Sequence, residues 1–221
     1  MAVGILVVGA VIITVLLAYP SMAPVGEVIP ITPGAHPQAS GRMLGDPNAP
    51  VLIELYEDFQ CPSCRTFNAN TEPLLVQDYI ATGNARLVFR QFAIIGSESL
   101  QAANASLCAA DQGRFWDYHD ILFANQAGEN QGAFVDRRLI AFAESLGLDM
   151  NAFRTCFENR TFQDEADSER LAGQRAGVLS TPTILVNGMI VEGAQPGYVP
   201  SYETIAQAIE AGLGPGTTLA P

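Results

Sequence analysis

The chain reads as an α/β protein with a helical insertion, preceded by an N-terminal membrane helix. Three observations predict this architecture. From about residue 45 onward, apolar strand-like runs alternate with helical patterns, as an α/β domain requires. A stretch of about 85 residues with helical spacing separates the second strand from the third. Residues 2–19 hold no charged side chain at all.

The elements follow in order. The 18 uncharged residues of the first stretch are just enough to span a bilayer and long for a signal-peptide core, yet no Lys or Arg precedes them. Residues 1–19 are expected to be a transmembrane anchor, with a cleaved signal segment as the alternative. The small-x-small candidate Ser21-Met22-Ala23 runs into Pro24, which hinders cleavage. Residues 20–44 carry Pro20, Pro24, Pro30, Pro33 and Pro37 and few large apolar side chains. They are expected to form a semi-rigid, Pro-rich linker at about 3.1 Å per residue, holding the domain off the bilayer with His36 solvated.

The main domain spans 45–213. Val51 to Tyr56 alternates like a strand, and Pro62 to Thr82 has helical spacing with a bend expected at Pro73. Gly83-Asn84 ends that helix, and Ala85 to Phe92 is a second strand. An insert over about 96–177 then shows helices at Glu98 to Asp111, Gly113 to Asn125, Asp136 to Leu146, Met150 to Asn159 and Phe162 to Ala176. Pro182 opens a further strand, and Asn187-Gly188 forms a tight hairpin turn into Met189 to Val191. Tyr202 to Ala211 is a last amphipathic helix, and residues 214–221 are a flexible tail.

Chemistry concentrates in Cys61-Pro62-Ser63-Cys64, where the first strand gives way to the first helix. Unpaired N–H groups and the positive dipole end of a helix stabilise a thiolate more than a thiol, so Cys61 should ionise easily. A thiolate attacks disulfides, and a second cysteine one helical turn on can release the product. Cys61 is thus the expected nucleophile and Cys64 the resolver. Pro62 suits the first helical turn because its missing N–H has no partner there. Ser63 is a tuning position that offers a hydrogen bond and no positive charge. Arg65 after the second cysteine rules out c-type haem attachment, which needs His there. A zinc site completed by Cys108 and Cys156 remains an alternative, opposed by their separation of 48 residues and the lack of a second Cys-x-x-Cys pair. An inert structural disulfide is the other alternative, opposed by the strain of so short a loop.

Several segments together carry a resemblance: Gly45-Asp46-Pro47-Asn48-Ala49-Pro50, Asp58-Phe59-Gln60-Cys61-Pro62-Ser63-Cys64, Phe115-Trp116-Asp117-Tyr118-His119-Asp120, and Gly177 to Asn187 with its Thr181-Pro182 pair. Over about residues 43–212 the chain resembles the DsbA-like branch of the thioredoxin superfamily. The resemblance implies a thioredoxin-like fold, a cis Pro182 lying against the cysteines, and a Thr181 that offers backbone hydrogen bonds to an extended substrate. Glu54, in an apolar strand shortly before the motif, is a candidate for proton transfer with Cys64, and the matching family position is often acidic. Phe115 and Trp116 are expected in the core, and His119 as a packed histidine. In an exported domain of this kind Cys108 and Cys156 are expected to form a structural disulfide between helices of the insert, with two buried free thiols as the alternative.

A formal charge of −12 and a pI near 4.4 argue against nucleic acid or an anionic membrane surface as partner. The expected function is a thiol-disulfide oxidoreductase acting on exported proteins from the extracytoplasmic face of the membrane, or as a secreted or periplasmic protein after signal cleavage. An oxidase donating the Cys61–Cys64 disulfide and reoxidised by a quinone-linked membrane partner is the simplest form. A reductase or isomerase is the nearer rival, since the Pro-Ser pair departs from the Pro-His of the strongest oxidants in the resembling family. A non-catalytic metal or folding chaperone is the other. No cofactor and no resident metal are expected.

Overall fold

The computed structural model describes residues 25–195 and 197–214. The anchor or signal stretch at 1–19 and the tail beyond Gly214 lie outside the described residues, and among those described no helix is long and apolar enough to cross a membrane.

The centre is a five-stranded sheet in the order β1-β3-β2-β4-β5. β2 (Val51–Glu57) runs parallel to β3 (Ala85–Gln91), with Val51 opposite Ala85 and Glu57 opposite Gln91. On its other side β2 pairs antiparallel with β4 (Thr183–Val186), Ile53 facing Val186. β5 (Met189–Ile190) closes one edge through the Asn187-Gly188 turn, where both residues have positive φ, 50° and 79°. A two-residue strand that the sequence reading missed, β1 (Met43–Leu44), closes the other edge.

Strand pleating sets the two faces of β2. Val51, Ile53 and Leu55 are buried in the main core, whereas Tyr56 packs with Phe92, Val178 and Leu185 on the opposite face. The crossover from β2 to β3 is helical but broken. α1 (Pro62–Asn70) stops at Thr71, α2 (Glu72–Leu75) restarts with Pro73 in its first turn, and a π-helical segment, Val76–Ile80, leads to β3. The bend falls where expected because Pro73 has no N–H to donate to the preceding turn.

The insert comprises α3 (Ser97–Ala110), α4 (Phe115–Ala124), α5 (Asp136–Ser145), α6 (Met150–Glu158) and α7 (Gln163–Arg175), each within two residues of its sequence reading. It joins the sheet through aromatic side chains. Phe59 stacks on Phe89 at 5.2 Å, and Phe115 and Trp116 pack onto Phe89 from α4. Cys108 in α3 and Cys156 in α6 are joined by a disulfide, with Cα atoms 5.8 Å apart. The last helix, α8 (Tyr202–Leu213), begins at a Ser201 side chain that accepts from Thr204 N and buries Ile205 and Ile209.

One expectation is corrected. The described part of the Pro-rich segment is docked on the domain and does not act as a spacer. Ile29 N donates to Asn125 Oδ1 at 2.8 Å, Asn125 Nδ2 returns a bond to Ile29 O at 2.9 Å, and Gly34 N donates to Asp120 Oδ2 at 2.9 Å. His36 is not solvated either, for its Nε2 lies 3.1 Å from Asp120 Oδ2. An extended chain without internal backbone bonds leaves its N–H and C=O groups free, and Asp120 in α4 and Asn125 at its C-cap take some of them up.

Candidate active site

Cys61 stands at the N-cap of α1 with extended backbone, φ −72° and ψ 119°, and Pro62 occupies the first turn. Both cysteines are thiols in this structure. Their environments differ. Hydrogen bonding from the Cys64 thiol, from the Thr181 side chain and from the backbone N–H groups of Cys64 and Ser63 outweighs burial and holds Cys61 down at about 6, against 9.0 for an ordinary thiol. In the thiol form Cys61 Sγ also donates to Thr181 O at 3.3 Å. That contact favours the protonated state, and the donors at the helix start prevail over it. Cys64 is fully buried, and burial pushes its thiol well above the usual range.

The loop before Cys61 is clamped by side chains. Asp58, 1 % exposed, accepts from Gln60 N and Ser99 Oγ on one carboxylate oxygen and from Ile94 N and Ile95 N on the other. Gln60 reaches the insert by accepting from Asn130 N at 2.6 Å and donating to Ser99 Oγ at 2.9 Å. Gln126, just beyond α4, donates its amide to Phe59 O and Cys61 O at 2.6 and 3.0 Å. Asp58 and Gln60 immediately precede the motif within the segment that carries the resemblance, and no local pattern assigned them a separate role. Gln126 carried no sequence signal, because it sits 65 residues from Cys61 in a loop.

The Thr181-Pro182 bond is cis. A cavity of about 200 Å³ opens beside it, lined by Leu179, Ser180, Pro182, Thr183, Ile190 and Tyr198. Leu179 is 86 % exposed and Tyr198 65 %, so an apolar rim borders this cavity beside the cis-proline.

Glu54 is not turned toward Cys64. Its carboxylate pairs with Arg90 at 2.7 Å on the face of β2 that carries Tyr56. The acid buried beneath the motif is Glu57, three residues on, whose odd position puts it on the same face as Ile53 and Leu55. That shared parity was the signal available in the sequence. Around Glu57 lie Glu72 of α2 and His119 of α4, with His119 Nε2 3.9 Å from a carboxylate oxygen of each. Burial raises both carboxyl groups above their ordinary range. Burial alone would lower His119, but the carboxylates of Glu72, Asp120 and Glu57 outweigh it and raise the imidazole. His119 is packed, as expected, but among charges as well as rings.

The geometry agrees with comparisons to known proteins. A thioredoxin family profile matches residues 38–211. Disulfide bond formation protein D of Bacillus subtilis (strain 168) is 28 % identical over 178 residues, covering 79 % of this chain and 78 % of that protein. The Na(+)/H(+) antiporter NhaA 1 of Salinispora arenicola is 31 % identical over 179 residues, which cover 80 % of this chain and 25 % of that larger protein. Oxidised BdbD from Bacillus subtilis superposes with a TM-score of 0.71 at 27 % identity, covering 82 % of this chain and 97 % of that one. Oxidised Mtb DsbA gives a TM-score of 0.62 at 26 % identity, covering 80 % and 93 %. The chain belongs to the thioredoxin family, in its DsbA-like branch, and is a thiol-disulfide oxidoreductase.

Proposed function

We propose that the protein oxidises thiols of exported proteins by donating a Cys61–Cys64 disulfide. The observation that carries this reading is the asymmetry between the thiols: Cys61 is held at about 6 while Cys64 is pushed up. A client thiolate attacks Cys61 Sγ, the S–S bond breaks, and Cys64 leaves and takes up a proton. The client's second thiolate then attacks its own sulfur in the mixed disulfide and expels Cys61 as a thiolate. A low-pKa thiol leaves readily, and a stabilised thiolate favours the reduced enzyme, so electrons run from client to enzyme. In this direction Cys61 is the sulfur attacked and then the leaving thiolate, whereas in the reverse exchange it is the nucleophile and Cys64 the resolver; Pro62 and Ser63 set the helix start. Thr181 and Pro182 hold an extended client segment, the exposed rim at Leu179 and Tyr198 supplying apolar contact. Cys108–Cys156 is a structural disulfide. Glu54, held by Arg90, does not serve as the proton relay.

Residues 1–19 anchor the enzyme at the extracytoplasmic face of the membrane, where a quinone-linked partner takes two electrons and two protons to restore the disulfide. The relatives named for disulfide bond formation support the oxidising direction. A reductase or isomerase is the second reading, favoured by Ser63, which places no cation beside Cys61.

The test is the reduction potential of the Cys61–Cys64 couple against glutathione, with Cys108–Cys156 kept closed and verified by mass. A couple more oxidising than glutathione supports donation. One near that of thioredoxin, about −270 mV, sinks it in favour of a reductase.

A further inference from the structure

Three buried side chains from separate elements meet behind the active site: Glu57 at the end of β2, Glu72 at the start of α2, and His119 in α4. Glu57 and His119 are fully buried and the Glu72 side chain is 8 % exposed. Both oxygens of Glu57, Oε2 of Glu72 and Nε2 of His119 find no hydrogen-bond partner, although all three side chains can bring a donor atom within 4.8 Å of the others. Leaving such atoms unpaired in the interior costs about 1–3 kcal/mol each, and more where charged. No Arg approaches them closely enough to form an ion pair among the described residues.

The spacing selects the class of partner the three groups suit. A nitrogen donating to a carboxylate needs about 2.7–3.2 Å, and His119 Nε2 stands 3.9 Å from both carboxylates. Metal–ligand bonds of about 2.0–2.2 Å put two donors of one ion roughly 3–4 Å apart, which this separation matches. The other ring nitrogen is already fixed: His119 Nδ1 lies 3.0 Å from Asp120 Oδ1, the carboxylate–imidazole support that orients metal-binding histidines through the remaining nitrogen.

We propose that Glu57, Glu72 and His119 bind a divalent first-row transition ion. Two carboxylates cancel its charge, and the imidazole makes the set unsuited to calcium, which takes oxygen ligands, while the absence of a thiolate makes it unsuited to copper(I). The ion has an access route and room for a water ligand. A cavity of about 740 Å³, lined among others by Glu72, Asp120, His36 and Arg65, opens against the Glu72 side and is bordered by the docked N-terminal segment at Ile31 and Gly34. Bound there, the ion staples the sheet, the active-site helix region and the insert at one point. This site is distinct from the Cys61–Cys64 couple and does not depend on the direction of exchange.

The experiment uses the full chain in detergent, oxidised so that no thiol can serve as ligand, stripped with a chelator and titrated with Zn²⁺ and Co²⁺. One equivalent is expected to bind, with Co²⁺ ligand-field bands and no sulfur-to-cobalt charge transfer. His119→Gln and Glu72→Gln should each weaken binding at least tenfold, and Asp120→Asn by a smaller factor. Should these variants fail to fold, X-ray absorption of the zinc-loaded native chain is the deciding measurement: one imidazole among oxygen ligands supports the site. Absence of binding by the oxidised protein means that the cluster holds protons only and overturns the proposal. Binding that appears only after reduction, with sulfur in the coordination shell, assigns the metal to Cys61 and Cys64 and overturns it equally.

Discussion

The two cysteine pairs of this protein use one residue type for opposite ends. Cys61 and Cys64 lie one helical turn apart at a helix start, where backbone donors stabilise a thiolate on the first and burial protects the thiol of the second. Cys108 and Cys156 lie 48 residues apart on two helices of the insert, closed as a disulfide among apolar side chains. The short pair gains little from loop closure and is positioned to exchange. Closing a loop of that length stabilises the fold by about 4 kcal/mol in the chain-entropy account. Spacing and surroundings, more than the cysteines themselves, separate a redox couple from a staple.

Breaking each pair should therefore give different losses. Cys61→Ser is expected to reduce disulfide exchange to the uncatalysed background, measured by oxidation of a dithiol peptide, while Cys64→Ser accumulates a Cys61–client mixed disulfide visible on a non-reducing gel. Equal activity in Cys61→Ser would erase the distinction between the pairs. Replacing both Cys108 and Cys156 by Ala should cost about 2–4 kcal/mol in denaturant unfolding and leave the alkylation rate of Cys61 unchanged. A change in that rate would mean that the staple also shapes the active site.

A smaller effect sharpens the comparison from within the insert. Gln126→Ala removes both amide donations to the backbone around Cys61 and should cost about 1–3 kcal/mol, with slower exchange and no change in the potential of the Cys108–Cys156 disulfide. The pH dependence separates the pairs again. Because Cys61 ionises at about 6 in the folded reduced protein and at 9.0 ordinarily, its contribution to stability is complete above pH 9 and is lost as pH falls toward 6. Alkylation of Cys61 should follow the same midpoint near 6, and Cys61→Ser should flatten that part of the stability profile. The smallest expected effect is that of Glu54→Gln, which breaks a partly exposed pair with Arg90 worth about 1 kcal/mol or less and should leave exchange rates unaltered.

Much of the chain was legible before its fold. The helices of the insert, the break at Pro73 and the Asn187-Gly188 turn follow from periodicity, proline geometry and positive φ, all of which act over a few residues. The position of the thiols at a helix start was equally local. Strand alternation puts Glu54 and Glu57 on opposite faces of β2 but does not show which face covers the active site, so Glu57 could not be singled out from it. The docking of residues 25–36 was hidden for another reason: a Pro-rich, extended segment has the same composition whether it is solvated or laid on a surface that offers Asn125 and Asp120.

The sequence by itself thus determined the succession of the longer strands and helices and the helix-start share of the reactivity of Cys61, since both depend on neighbours within about one turn of chain, while the Thr181 contribution came from packing. Only the tertiary structure decided that Glu57, Glu72 and His119 share one buried space and that Gln126 reaches back to the Cys61 carbonyl. Those contacts join residues up to 65 positions apart, and no local pattern records a meeting that is made by packing helices onto a sheet.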